Sequence, residues 1–137
     1  MSIPDHQRER FDELLEIELH LLPERFAAVI EEIPVVVDDE PDRPLLQSLA
    51  LEYEVDSIEP DELCGLHTGI ALTERTMDMP TRGPQDIRLF RLGIFALAGG
   101  YDVTDDALSE EIRVTLLHEL GHHFGLDEDE LEELGYA

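Results

Sequence analysis

Two histidines four residues apart, His118 and His122, are the feature of this sequence that most restricts its fold. Residues i and i+4 lie on one face of an α-helix, so both imidazole rings can reach a single zinc ion at about 2.0–2.1 Å. Glu119 directly follows the first histidine, where its carboxylate can take a proton from a zinc-bound water molecule. The spacing therefore predicts a helix that holds both histidines half-buried beside its apolar stripe.

The residues around this motif predict where the helix begins and ends. Thr104 or Asp105 can cap its N-terminus. Gly125 stands where a helix-ending glycine in the left-handed conformation is expected, and a chain that reverses there folds back toward the two histidines. The buried stripe is predicted from four apolar residues at four-residue steps, which are Leu108, Ile112, Leu116 and Leu120.

A third metal ligand is needed, because catalytic zinc usually has three protein ligands and an open position for water. Glu128 lies at the spacing where metzincins carry their third ligand, and carboxylates are acceptable zinc ligands. Asp127 is the alternative, although Asp127 and Glu130 also form a capping box for a short last helix over 128–134. We favour Glu128 and keep Asp127 as the second candidate.

Composition excludes several classes of function. The chain has 34 acidic and 9 basic residues, all nine of them arginine, and a formal net charge of −25. Such a chain should repel nucleic acid and anionic membranes, and no apolar run approaches a membrane span. The single cysteine, Cys64, excludes an internal disulfide and a thiolate zinc site. We expect one cytoplasmic domain, residues 1–137, since residues 1–8 are polar and lack the apolar core of a signal peptide.

The hydrophobic pattern predicts an α+β fold, because strand-like segments follow one another without regular helical crossovers. Residues 38–62 predict a long surface connection with a short helix around 44–51. Residues 86–98 are the most strand-like segment, and Gly93 within it indicates a bulge or a break into two strands. The other predicted elements are helices over 5–22 and 23–32, strands over 35–37 and 63–72, and a loop over 73–85.

Three stretches of the chain resemble the small bacterial zincin-like metallopeptidases, compact proteins of about this size with the motif near the C-terminus. These stretches are residues 63–75, 86–91 and 118–131. The resemblance implies a minimal zincin-like fold, in which a small mixed β-sheet packs against N-terminal helices and the active-site helix.

Carried over by motif position, the resemblance also implies site residues and a cofactor. His118 and His122 would bind Zn²⁺, and Glu119 would be the catalytic base. The family usually has aspartate where this chain has Glu128, which keeps the charge and lengthens the side chain.

Three functional hypotheses follow. The leading one is zinc-dependent hydrolysis of a peptide or protein substrate by a water molecule that Glu119 activates. The alternative is a non-catalytic zinc-binding regulatory or interaction protein, and a third is an acidic interaction protein whose histidines are incidental. For the first, a substrate could add to an edge strand within 86–98. Tyr136 and His123 are candidates for stabilising the oxyanion.

The remaining histidines are interpreted as structural residues. His6 and His20 lie on the predicted first helix, and His67 lies within a predicted strand.

Overall fold

A three-stranded mixed sheet forms the centre of the part of the chain that the computed structural model describes, residues 3–68 and 86–133. Strand β1 (Val35–Asp38) runs parallel to β3 (Asp86–Phe90), and β2 (Gly65–Thr68) runs antiparallel to β3. The strand order β1-β3-β2 makes β3 the central strand. Strand β2 is therefore an edge strand of the described sheet.

Helices pack against this sheet, and the α+β prediction is confirmed. The predicted helices over 5–22, 23–32 and 44–51 all form, with ends that differ by a few residues. None of the helices in the described ranges has the length and apolar character needed to span a bilayer. The helices are α1 (Asp5–His20), α2 (Glu24–Ile30), α3 (Arg43–Glu52), α4 (Arg91–Ala98), α5 (Asp105–His123) and α6 (Glu128–Glu133), with a 3₁₀ turn at Pro60–Glu62.

The core is built around α5, which contacts α1, α4, β2 and β3. Its predicted four-residue stripe is completely buried, at 0% exposure for each side chain. From the other side, Phe11 of α1 packs against Phe95 of α4, with ring centroids 5.8 Å apart. Burial of each such side chain contributes about 1.5–3 kcal/mol. The packing thus fixes one face of α5 and leaves the neighbouring face for the histidines.

The predicted strand over 86–98 is wrong beyond Phe90. The chain there leaves the sheet and forms α4, which ends at Gly99 in the left-handed conformation, with φ of 117°. A continuous apolar run has the same appearance in a buried strand and in a buried helix. Gly93 marks close packing and not a bulge, because a Cβ added there would lie 2.2 Å from the Leu63 carbonyl oxygen.

The prediction for residues 63–85 can be followed only in part. Residues 65–68 form β2, as predicted. The rest of the predicted strand, 69–72, and the predicted loop, 73–85, lie outside the described residues.

An ion-pair network joins α1, the end of β1 and the start of α4. Asp39 accepts hydrogen bonds from Arg8 Nε at 2.9 Å and from an Arg91 guanidinium nitrogen at 3.0 Å. Arg91 also donates to Asp12 at 2.8 Å. The hydrogen bond from Arg8, followed by that from Arg91, holds the pKa of Asp39 below its usual value against the opposing effect of burial.

We expect Asp39→Asn to lower the free energy of unfolding at pH 7 by about 1.5–3 kcal/mol, the range for hydrogen bonds to charged groups. A carboxylate with a depressed pKa stabilises the fold above its unfolded pKa of about 3.9, and this contribution disappears as pH falls through the folded pKa. The difference between variant and wild type should therefore shrink below about pH 4, as measured by urea unfolding.

Asp38→Asn is the matched control. Asp38 is adjacent in sequence, but its nearest arginine nitrogen, on Arg88, is 3.9 Å away and both side chains are well exposed. It should change the free energy of unfolding by less than about 0.5 kcal/mol. Equal losses in both variants would contradict the assigned role of the network.

Candidate metal centre

Specific residues determine where the helix that carries the motif begins and ends. At its start, Thr104 caps α5, since its hydroxyl accepts a hydrogen bond from the Ala107 amide at 3.1 Å. Of the two predicted caps, Thr104 is thus the one used. At its end, Gly125 takes a left-handed conformation with φ of 83°. The Gly125 amide donates to the His122 carbonyl at 2.9 Å, and the Leu126 amide donates to the Gly121 carbonyl at 3.1 Å.

These two hydrogen bonds form a Schellman motif, which reverses the chain after α5. Helix α6 consequently folds back onto α5. Leu131 of α6 is completely buried, and a Cβ added to Gly121 would lie 2.2 Å from its Cδ2 atom. The absence of a side chain at Gly121 is what allows α6 to pack this close to the motif.

The start of α6 is capped by Asp127. Its carboxylate accepts a hydrogen bond from the Glu130 amide at 2.8 Å, and Glu130 reaches back to the Asp127 amide at 3.4 Å. The predicted capping box is confirmed, and it occupies the Asp127 side chain. The next residue, Glu128, is thereby directed toward the histidines.

Three donor atoms converge beside α5. His118 Nε2 and His122 Nε2 lie 3.1 Å apart. Glu128 Oε1 lies 3.3 Å from the former and 3.0 Å from the latter. Ligands about 2.0–2.1 Å from a tetrahedral zinc ion are separated by about 3.3–3.4 Å. The triangle has the dimensions of one face of such a site, so these residues fit a bound metal ion.

A second carboxylate borders the histidine pair from the core side. Glu119 is 8% exposed, and one of its oxygens lies within 4.8 Å of a ring nitrogen of each histidine. Glu128 differs in its surroundings, since its side chain is 68% exposed and approaches from the solvent side. The pair is therefore flanked by one buried and one exposed carboxylate, which suits the two for different tasks.

The tautomer of His122 is set by the turn that follows the helix. His122 Nδ1 lies 3.2 Å from the Leu126 carbonyl oxygen, which can only accept a hydrogen bond. Nδ1 therefore carries the proton, and the lone pair of Nε2 points into the triangle. Metal-binding histidines commonly have a partner of this kind on the other ring nitrogen.

Strand β2 closes the site on the side of Glu119. A Cβ added to Gly65 would lie 3.0 Å from Glu119 Cγ and from Thr115 Cγ2. Cys64, which precedes the strand, is partly buried and packs against the core. Burial, followed by the charges of Glu111 and Glu119, raises the pKa of its thiol to about 11. The thiol is therefore protonated at neutral pH and is a poor nucleophile or ligand.

The remaining predicted residues are the two candidates for stabilising the oxyanion and the three histidines interpreted as structural. His123 is only 3% exposed and packs edge-on against Phe124, so it cannot contact a substrate and its assignment to the oxyanion is wrong. Tyr136 lies outside the described residues. His6 and His20 lie on α1, where His20 Nδ1 bonds the Glu16 carbonyl at 2.8 Å. His67 belongs to β2.

Two contributors to the site, the Leu126 carbonyl and Gly65, were not predicted from the sequence. The first follows from the glycine turn, since the residue after Gly125 in a Schellman motif lies close to the last helical turn. The second depends on the pairing of β2 with β3, which no local pattern reveals.

Comparison with known protein families supports the geometry. Residues 30–136 match the family described as zincin-like metallopeptidase. A comparison with curated proteins gives no match to this chain. The matched range contains all three strands and the whole of the candidate metal centre.

We expect Glu128→Ala to weaken zinc binding by more than about a hundredfold, since even the outer partners of zinc ligands are worth about 10–100-fold. Asp127→Ala is the matched control. It should cost about 1 kcal/mol of stability through the lost cap but change zinc affinity by less than about tenfold. Competition with a chromophoric chelator measures the affinities. The reverse ranking would make Asp127 the ligand.

Proposed function

The chain belongs to the zincin-like metallopeptidase family, and from this premise we propose that it is a zinc-dependent peptidase. The observation that carries the proposal is the triangle of His118 Nε2, His122 Nε2 and Glu128 Oε1, with sides of 3.0–3.3 Å. These three residues would hold the metal ion, and Glu119 would serve as the general base.

The donor set favours zinc for this chemistry. Two imidazole nitrogens and one carboxylate also suit iron(II), so the donors alone leave two metals open. A glutamate directly after the first histidine of a helical pair is the arrangement of hydrolytic zinc sites. Zinc bound here would lower the pKa of a water molecule to about 7 and polarise the scissile carbonyl group.

The surroundings of Glu119 suit it to proton transfer. Its side chain is buried between α5 and β2, with Gly65 against its Cγ atom, so its carboxylate is confined to the edge of the triangle. From there it would accept the proton of the attacking water molecule and deliver it to the leaving amine. Because the Glu119 side chain is held in place by its neighbours, its carboxylate stays near the reacting atoms and does not have to change rotamer before each proton transfer.

The substrate would bind along β2. A docking strand within 86–98 is wrong, because β3 is paired on both sides and the rest of that segment is α4. Strand β2 is an edge strand of the described sheet and contacts α5 beside the triangle. An extended peptide added to this edge would place its carbonyl groups beside the histidines by main-chain hydrogen bonds.

We expect the purified protein to hold about one zinc ion per chain and to cleave peptides from a mixed library. Glu119→Gln should reduce turnover by at least about a hundredfold, the usual contribution of a general base, while zinc remains bound. Elemental analysis and mass spectrometry of the cleaved library give the two readouts.

Glu110→Gln provides the matched control, since Glu110 lies on the same helix, is well exposed and pairs with Arg113. Its zinc content and turnover should equal those of the wild type. A protein that binds zinc but cleaves nothing, with or without Glu119, would instead be a non-catalytic zinc-binding protein. Failure to take up zinc would exclude both functions.

A further inference from the structure

Glu111 lies on the same face of α5 as the two metal-site histidines. At 3.6 residues per turn, the seven and eleven residues that separate it from His118 and His122 place each histidine within about 20° of Glu111 around the helix. Its side chain is partly buried, as those of the histidines are. The face of α5 that carries the candidate metal centre therefore extends toward the start of the helix and includes the Glu111 carboxylate there.

The distance from the centre fits a substrate side chain. Seven residues at 1.5 Å each place Glu111 about 10 Å along the helix from His118. An extended peptide advances about 3.3 Å per residue. A peptide on β2 that follows α5 would thus bring a side chain about three residues from the scissile bond to Glu111.

Glu111 and the catalytic base candidate, Glu119, both lie near Cys64. The charge of Glu111 and that of Glu119 both act on the Cys64 thiol, directly before β2. Thr115, one turn after Glu111, contacts Gly65 at the start of the strand. Glu111 consequently lies close to the contact between α5 and β2, where the proposed substrate strand would pass.

No arginine of the described ranges forms an ion pair with Glu111. The nearest arginine in sequence, Arg113, pairs instead with Glu110, which lies about 100° around the helix. The other arginine ion pairs of the described ranges join α1, β1 and the residue after it, β3, α4 and the first residue of α5. A partly desolvated carboxylate gains more from a cationic partner than an exposed one does.

We propose that Glu111 is a specificity-determining residue that selects a lysine or arginine side chain of the peptide substrate, about three residues from the scissile bond. This inference rests on the proposed function, since it assigns a substrate class to the same site. The guanidinium or ammonium group would supply the positive charge that the described part of the chain does not place beside Glu111.

The test compares matched peptides that differ at one position. A cleaved library peptide is made with lysine, glutamine or glutamate at each position within four residues of the scissile bond. At one position, the wild type should cleave the lysine peptide at least about tenfold more efficiently, in kcat/KM, than the glutamine peptide. Glu111→Gln should remove this preference, so that the variant cleaves the lysine and glutamine peptides with equal kcat/KM.

Two further variants distinguish a local effect of Glu111 from a general attraction of basic peptides to this acidic protein. Glu110→Gln removes the same charge one residue away and should keep the full preference. Glu111→Lys should invert it, so that the glutamate peptide becomes the better substrate. A preference that survives in Glu111→Gln, or that falls equally in Glu110→Gln, would overturn the assignment.

A binding measurement distinguishes failure of this inference from failure of the proposed function. Fluorescence anisotropy with zinc-loaded Glu119→Gln protein gives the affinities of the lysine and glutamine peptides without turnover. Cleavage without a basic preference would refute the role of Glu111 alone. If the wild type cleaves nothing, the same substitutions are made in an uncleaved library peptide. A lysine preference in binding that Glu111→Gln abolishes would then support the subsite, and equal or absent binding would refute it.

Discussion

Burial of one face of α5 is the interaction on which the rest of the structure depends. Its leucine and isoleucine stripe is fully enclosed by the sheet, α1 and α4. Because a helix is rigid over several turns, fixing that stripe also fixes the rotation of every other residue on α5. His118, His122 and Glu111 are therefore held at the border of the core, and Glu119 just inside it.

The second half of the site depends on a turn and not on the core. Gly125 and Gly121 act together: one reverses the chain, and the other leaves room for Leu131 to pack against α5. The result is that Glu128 reaches both histidines although its own side chain is mostly exposed. Helix packing sets the direction in which the two histidines point, and the glycine turn brings Glu128 to them.

The parts of the molecule that follow local rules were predictable from the sequence. The motif helix, its end at Gly125 and the Asp127 capping box each depend on residues within one or two turns of each other. The burial of His123 could also have been predicted, since it continues the stripe at three residues after Leu120 and seven after Leu116. The assignment of His123 to the oxyanion overlooked that spacing.

The parts that depend on distant contacts were not predictable in the same way. Helix α4 follows β3 within one apolar run, so the boundary between them has no local signal. Only the packing of Gly93 against Leu63 shows that this glycine marks a close contact and not a bulge. The edge position of β2 depends on which strand lies beside it. Both features bear on where the proposed substrate strand would lie, so that proposal needed the structure, whereas the helical pair of histidines did not.

The nearness in sequence of the three donors has a consequence for folding. Glu128 lies only ten residues after His118, so bringing them together closes a short loop at little cost in chain entropy. The denatured chain keeps the same spacing and can form part of the site before the sheet exists. Since binding to the unfolded chain offsets stabilisation of the folded one, a metal ion should raise the stability of this domain by less than its affinity implies.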